Sequence, residues 1–372
     1  MAVVDLTLAQ PTLRYQVRIE AGLLARLGPA VAEAAPHAKC AAILDEAIEA
    51  DWGRPAARSL RDAGFDCAVA SLAVSEKRKT LGTVRTFYEV LLEHRLERRS
   101  PVVSIGGGIL GDMAGFAAAT YLRGVPLVQA PTTLLAMVDA SVGGKTGVNA
   151  PQGKNLLGSF HQPVLVAIDP DALTTLPARQ VRCGLAECVK HAVIRDPELF
   201  SWIERRVDDV LALDSGALAE LVERNVRIKA AVVQEDEREA GVRAHLNFGH
   251  TFAHAIEACN RFLGRPSLLH GEAVAAGMVA ATRLAIDQRL CQDAGLLERL
   301  VRLLERIGLP TCLPAEPPMA ALMTAMGHDK KVAGGAIRLV LPARMGEVVV
   351  TDQVDPVAIE QAWVDLAAPP GA

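Results

Sequence analysis

From Tyr15 to Ile168 one pattern recurs: a short apolar run of strand length, then a longer stretch rich in Ala, Leu and Arg. Tyr15–Ile19 alternates like a strand, Ala41–Leu44 is apolar and ends at Asp45, and Cys67–Leu72, Val102–Ile105, Leu127–Ala130 and Val164–Ile168 follow. Parallel strands cannot be joined by a tight turn; they need a crossover of a dozen or so residues, commonly a helix. The alternation therefore predicts a parallel sheet covered by helices, an α/β fold. After Pro177 the texture changes. Arg179 to Arg306 reads as almost wholly helical, followed by a hairpin over Ile337–Leu341 and Val348–Val350 and a last helix over roughly Pro356–Leu366. Two domains are expected, 1–178 α/β and 179–372 mostly α-helical, packed closely because no low-complexity linker separates them.

A length of 372 residues suits two cores of ordinary size. The net charge of -4 gives no global pull toward nucleic acid, so anionic ligands must be met by local basic residues. The seven cysteines form no C-x-x-C pair, which points to a reduced, cytoplasmic setting without disulfides. Met1–Gln10 carries Asp5 and lacks a basic start followed by an apolar core, so no signal peptide is expected. No run of about 18 uncharged apolar residues predicts a membrane helix.

Ile105 ends a strand and Gly106-Gly107-Gly108-Ile109-Leu110-Gly111-Asp112 follows. A glycine turn between strand and helix lets backbone N–H groups approach a phosphate at the helix N-terminus. The string satisfies G-x-G-x-x-G, yet Pro126–Pro131 lacks the acidic residue that usually holds the ribose about 20 positions later. A tight turn without a ligand fits the same residues. Gly144-Lys145-Thr146 imitates a P-loop, but the required first glycine falls on Asp139. Lys145, Lys154 and Asn155 sit in Gly-rich loops, where they are either contacts for an anion or solvated side chains.

Four of the nine histidines lie between positions 245 and 270. His250 and His254 are four apart on a predicted helix and share a face. His270 opens another apolar helix. Glu187 lies in the apolar helix Gly184–Lys190, where a carboxylate is costly unless paired or ligating. Two imidazoles and a carboxylate make an open metal set with room for a substrate oxygen; spacing alone leaves open which imidazoles ligate.

These strings together resemble the 3-dehydroquinate synthase family from about residue 40 to residue 350. They are Gly106–Phe116, Pro131–Gly147, Gly153-Lys154-Asn155, Gly184–Lys190, Asp236–Glu239, Leu246–Glu257, His270–Gly277 and Asp329-Lys330-Lys331. The resemblance implies an NAD-binding α/β domain, a helical domain and an active site between them, usually in a homodimer. It implies metal ligands Glu187, His250 and His270 for zinc or cobalt, with His254 a proton-relay residue. It implies NAD contacts from Asp45, Glu76, Lys79, Gly106, Gly107, Gly108, Asp112, Thr132, Thr133 and Lys154. It implies catalytic roles for Lys145, Lys190, Glu239, Asn247 and His254, and substrate contacts from Arg123, Asp139, Asn155, Lys229, Arg243 and one of Lys330 and Lys331.

The implied substrate is a small sugar-acid phosphate, 3-deoxy-D-arabino-heptulosonate 7-phosphate, with no nucleic-acid or membrane partner. The implied cycle oxidises a ring hydroxyl, eliminates phosphate, returns the hydride and closes a carbocycle by an aldol step. Ser75 and Ala253 replace family glycines, His191-Ala192 replaces Tyr-Gly, and Asn260–Leu269 is longer and more basic than usual. The alternatives are a sister sugar-phosphate cyclase, which would differ at the phosphate- and carboxylate-binding positions, and a metal-dependent polyol dehydrogenase, which would release NADH. A nucleotide sensor with a dead site would have lost a metal ligand, and none is lost.

Overall fold

A computed structural model describes residues 13–263, 267–315, 318–327 and 337–367. Eight strands precede residue 170: β1 (Gln16–Ile19), β2 (Lys39–Asp45), β3 (Asp66–Leu72), β4 (Val102–Gly106), β5 (Leu127–Pro131), β6 (Lys145–Ala150), β7 (Gly153–Phe160) and β8 (Leu165–Ile168). Helices α1 (Leu27–Ala34), α2 (Arg54–Asp62), α3 (Leu81–Glu93) and α4 (Gly108–Thr120) connect them. Six strands form one sheet in the order β1-β8-β5-β4-β2-β3, with every neighbouring pair parallel. Each expected strand of the first half is present in it. The chain runs outward from β2 to β3 and returns to β4 on the other side of β2. That reversal opens a crevice at the carboxyl ends of β2 and β4, the usual place for a ligand in an open parallel sheet.

One expectation fails. Lys145, Lys154 and Asn155 lie not in loops but on an antiparallel hairpin, β6 and β7, which packs against α4. Glycines hid the strand pattern: Gly147 and Gly158 face each other across the ladder, and a Cβ at Gly158 would stand 2.3 Å from the Thr146 carbonyl oxygen. The glycines admit close backbone pairing rather than a loop.

The change from sheet to helices falls between Ile168 and Ala178. The second half comprises α5 (Ala178–Arg195), α6 (Pro197–Leu211), α7 (Ser215–Glu235), α8 (His250–Ala258), α9 (His270–Asp287), α10 (Leu296–Ile307) and α11 (Met319–Gly327). The hairpin β9 (Leu339–Arg344) and β10 (Glu347–Thr351), and helix α12 (Pro356–Ala367), complete it. Asp196 and Asp214 cap α6 and α7 by accepting the N–H groups of Leu199 and Ala217, at 2.8 Å each. Helix α5 is buried without a break from Cys183 to Ile194 because α6, α7 and α9 surround it. The start of α9 lies almost against it: a Cβ at Gly271 would stand 2.2 Å from the Cys183 carbonyl oxygen. All seven cysteines are free. Among the described residues no helix is long and apolar enough to cross a membrane.

Candidate active site

The turn after β4 sits at the crevice. Gly107 precedes α4 with extended backbone, so the first N–H groups of α4 point out of the helix end. Side chains would close this cradle: a Cβ at Gly106 would meet Leu110 at 2.7 Å and Asp45 at 3.2 Å, and one at Gly107 would meet Thr133 at 3.2 Å. Thr132 donates its N–H to the Gly106 carbonyl (3.0 Å) and Thr133 caps the next turn by accepting the Ala136 N–H (3.2 Å). Beside the first turns of α4, the buried Lys79 ammonium pairs with Asp112 at 2.5 Å and also donates to Asn155. Glu76 accepts from Asn149 at 2.7 Å. The dinucleotide candidates Asp45, Glu76, Lys79, Gly106–Gly108, Asp112, Thr132 and Thr133 thus line one region, and Asn155, expected on the substrate, joins Lys79 and Asp112. Lys154 instead reaches Glu257 on α8, at 3.0 Å.

The metal candidates converge. Glu187 on α5 is fully buried; its Oε1 lies 3.5 Å from His250 Nε2 and 3.4 Å from His270 Nε2. Tetrahedral ligands about 2.1 Å from a zinc-sized ion would stand about 3.4 Å apart, so these spacings fit a shared ion. Among the described residues, Glu187 Oε2 pairs with the Lys190 ammonium and Oε1 faces only the two imidazoles. A buried carboxylate so provisioned matches a ligand better than a packing residue. Burial opposes ionisation of Glu187, but Lys190, His250 and His270 outweigh it and hold the carboxyl below its usual range. Burial holds His250 well below the ordinary imidazole value, the neutral form a ligand needs. Its Nδ1 lies 3.1 Å from the Phe248 carbonyl, which leaves Nε2 toward Glu187. His254 stands one turn along α8, its ring centroid 5.8 Å from that of His250 and outside the ligand cluster. The structure therefore groups His270, not His254, with Glu187 and His250.

A charged pocket adjoins the cluster. Lys190 is buried; desolvation opposes its charge, but Glu187 and Asp139 raise its pKa. Asp139, on a π-helical turn over Ala136–Ala140, pairs with the buried Lys229 of α7. Burial acts against the Asp139 charge, yet Lys229, Lys190 and His191 hold it well below the usual carboxylate range. Lys145 pairs with Glu239, which also accepts from Asn247 at 2.7 Å. Glu239 has φ 61°, a left-handed backbone that an ordinary residue adopts at a cost, and the cost points to a fixed role. The buried Arg243 donates to the backbone carbonyls of Glu237 and Gly143, the latter at 3.0 Å, and among the described residues its Nε has no partner. Its fork is therefore partly committed to the backbone.

One expected substrate residue stands apart from this group. Arg123 is exposed beyond the C-terminal end of α4, the end opposite the glycine turn and about 20 Å from it at the rise of a helix. Lys330 and Lys331 lie outside the described residues. His191, noted in the sequence only as a replacement, gains a place here, and Glu257 was overlooked. His191 is wholly buried, its Nδ1 3.1 Å from Asn225 Oδ1 and its Nε2 3.7 Å from Asp139, so it belongs to the pocket wall. Glu257 faces His270; its place seven residues after His250, on the same helix face, was the signal.

Residues 69–183 match the family described as 3-dehydroquinate synthase N-terminal, and residues 184–332 the one described as 3-dehydroquinate synthase C-terminal. The chain is 48% identical to the 3-dehydroquinate synthase of Symbiobacterium thermophilum over 93% of this chain and 96% of that one. Among solved structures, it resembles 2-epi-5-epi-valiolone synthase from Streptomyces hygroscopicus with NAD+ and Zn2+ bound, at TM-score 0.88 and 32% identity, covering 97% and 99% of the two chains. It also resembles 2-deoxy-scyllo-inosose synthase complexed with carbaglucose-6-phosphate, NAD+ and Co2+, at TM-score 0.85 and 25% identity, covering 94% and 96%. With both halves matched and near-full-length identity of this order, the chain belongs to the 3-dehydroquinate synthase family.

Proposed function

We propose that this protein converts 3-deoxy-D-arabino-heptulosonate 7-phosphate to 3-dehydroquinate and phosphate, using NAD and one divalent metal, zinc or cobalt. The observation that carries the reading is the buried Glu187 carboxylate, its Oε1 3.4–3.5 Å from two imidazole Nε2 atoms and its Oε2 paired with Lys190, beside a pocket of lysines. Glu187, His250 and His270 would hold the metal, and the glycine turn with Asp45, Thr132 and Thr133 the dinucleotide. Bound there, the metal supplies a Lewis acid and the dinucleotide a reversible hydride acceptor.

The chain's own residues do the rest. Lys190, Lys229 and Lys145 set positive charge where a phosphate must be bound and released. Asp139 and Glu239 keep two of those ammoniums in place. Asn247 orients Glu239 by a hydrogen bond to Oε1, leaving a carboxylate in reach of a substrate proton. His254, one turn from the cluster, is the second proton carrier. The seven-carbon acid, rather than the neutral sugar phosphates of sister cyclases, is favoured by the 48% identity to a curated 3-dehydroquinate synthase against 32% to a solved sister cyclase. In this reading residues 1–178 serve the dinucleotide, residues 179–372 the metal and substrate, and the enzyme works as a cytoplasmic homodimer.

The test is to supply the seven-carbon keto-acid phosphate with NAD and metal. Phosphate should be released with no net build-up of NADH. Stoichiometric NADH would instead identify a polyol dehydrogenase, and turnover only with neutral sugar phosphates a sister cyclase.

A further inference from the structure

The two histidines of the cluster are held from behind in different ways. His250 has its Nδ1 3.1 Å from a backbone carbonyl, that of Phe248, and no substitution removes that partner. Among the described residues His270 has no backbone partner for Nδ1. It is the first residue of α9 and its ring is 35% exposed, so packing alone does not fix the ring. What faces its Nδ1 is the Glu257 carboxylate, with Oε2 at 3.6 Å. Glu257 is itself tied down, because Lys154 of β7 donates to its Oε1 at 3.0 Å from across the chain. The backbone under His270 is separately anchored: Arg179 forks onto Glu272 with two contacts of 2.6 Å, and Glu272 accepts the Leu269 N–H at 2.7 Å. That anchor sets the place of the residue but not the rotation of its ring.

An imidazole that turns Nε2 to a metal must carry its proton on Nδ1, and an acceptor there fixes both tautomer and ring angle. We propose that Glu257 is the positioning residue for His270, and that Lys154 holds its carboxylate in place from the sheet half of the chain. The inference rests on the metal reading of Glu187, His250 and His270. It assigns Lys154 a second task besides any contact with a dinucleotide. An ion pair kept only for stability would tie Lys154 to Glu257 without regard to the ring of His270.

The test is metal affinity without substrate, measured by chelator competition for Zn2+ and by the visible absorption of the Co2+ form. Glu257→Gln keeps the shape and removes the charge; it should weaken metal binding by about 10–100-fold and alter the Co2+ spectrum. Lys154→Met, which leaves the carboxylate but unties it, should give a smaller loss in the same direction. Unfolding of the metal-free variants separates a purely structural role, which would lower stability and leave affinity alone. Affinity within threefold of wild type in Glu257→Gln, or in Glu257→Ala should the first not fold, overturns the proposal. His250→Ala runs in parallel: if it loses metal while Glu257→Gln does not, the positioning role alone has failed. If His250→Ala also keeps its metal, the metal reading has failed and the inference with it.

Discussion

Lys190→Met tests whether the Glu187 site is built around a charge that something must balance. Both side chains are buried, Lys190 1% and Glu187 0% exposed, and they form an ion pair one turn apart on α5. Deleting one member of a buried pair costs roughly 3–5 kcal/mol, because the other charge is left without compensation. Here the compensation lost is partial: burial opposes the charge on His270, but Glu187 and Glu257 raise its pKa to about 10, and its ring stays 3.4 Å from the carboxylate. The expected loss for the metal-free protein is therefore at the lower end, about 3 kcal/mol. Saturating divalent metal should restore most of it, since a cation at the same carboxylate replaces the missing ammonium and binds the native state alone. The assay is chemical unfolding of wild type, Lys190→Met, Glu187→Gln and the double variant, each with chelator and with metal. Removing both charges should cost less than the two single losses added. A loss under about 1 kcal/mol, or strict additivity, would show that the pair is not coupled and would refute the charge argument.

Three further outcomes are expected. Glu187→Ala, His250→Ala and His270→Ala should each strip the metal and abolish turnover, whereas His254→Ala should keep its metal and turn over slowly; metal analysis of the purified variants decides it. Arg243→Lys cannot reproduce the fork that holds the Glu237 and Gly143 carbonyls, so stability should fall by about 1–3 kcal/mol and substrate binding by about 1.5–3 kcal/mol, with NAD affinity unchanged; additive losses on also removing the substrate carboxylate would separate Arg243 from that group. Burial opposes the Glu272 charge, but the Arg179 fork and the Leu269 N–H hold its carboxyl below the usual value. A depressed carboxyl contributes stability above its unfolded pKa of about 4.3 and loses it as pH falls through the folded value. Glu272→Gln should thus show a constant deficit from pH 6 to 8 that shrinks in acid, and a deficit that grows in acid would contradict the assignment.

Much of the fold was legible because its signals are local. Each buried strand of the parallel sheet is a short apolar run, the glycine turn is contiguous, and His250 with His254 repeat at helix spacing. The hairpin β6–β7 was misread because glycines erase alternation, and only pairing with a second strand shows that Gly147 and Gly158 stand opposite each other. Within the site, spacing placed three histidines and a carboxylate in reach of one ion but could not choose between His254 and His270. That choice is long-range: it depends on α9 resting on α5 at Gly271 and Cys183, which brings His270 to Glu187.

The same limit governs the charged pocket. Residue type alone determined that Glu187 needs a partner, since charge is costly in an apolar helix. Which lysine meets which carboxylate was decided by the tertiary structure: Lys229 with Asp139, Lys145 with Glu239 and Lys154 with Glu257 join residues 90, 94 and 103 positions apart. A sequence encodes periodicity over one or two turns, and pairings at such separations exist only once helices and sheet have packed.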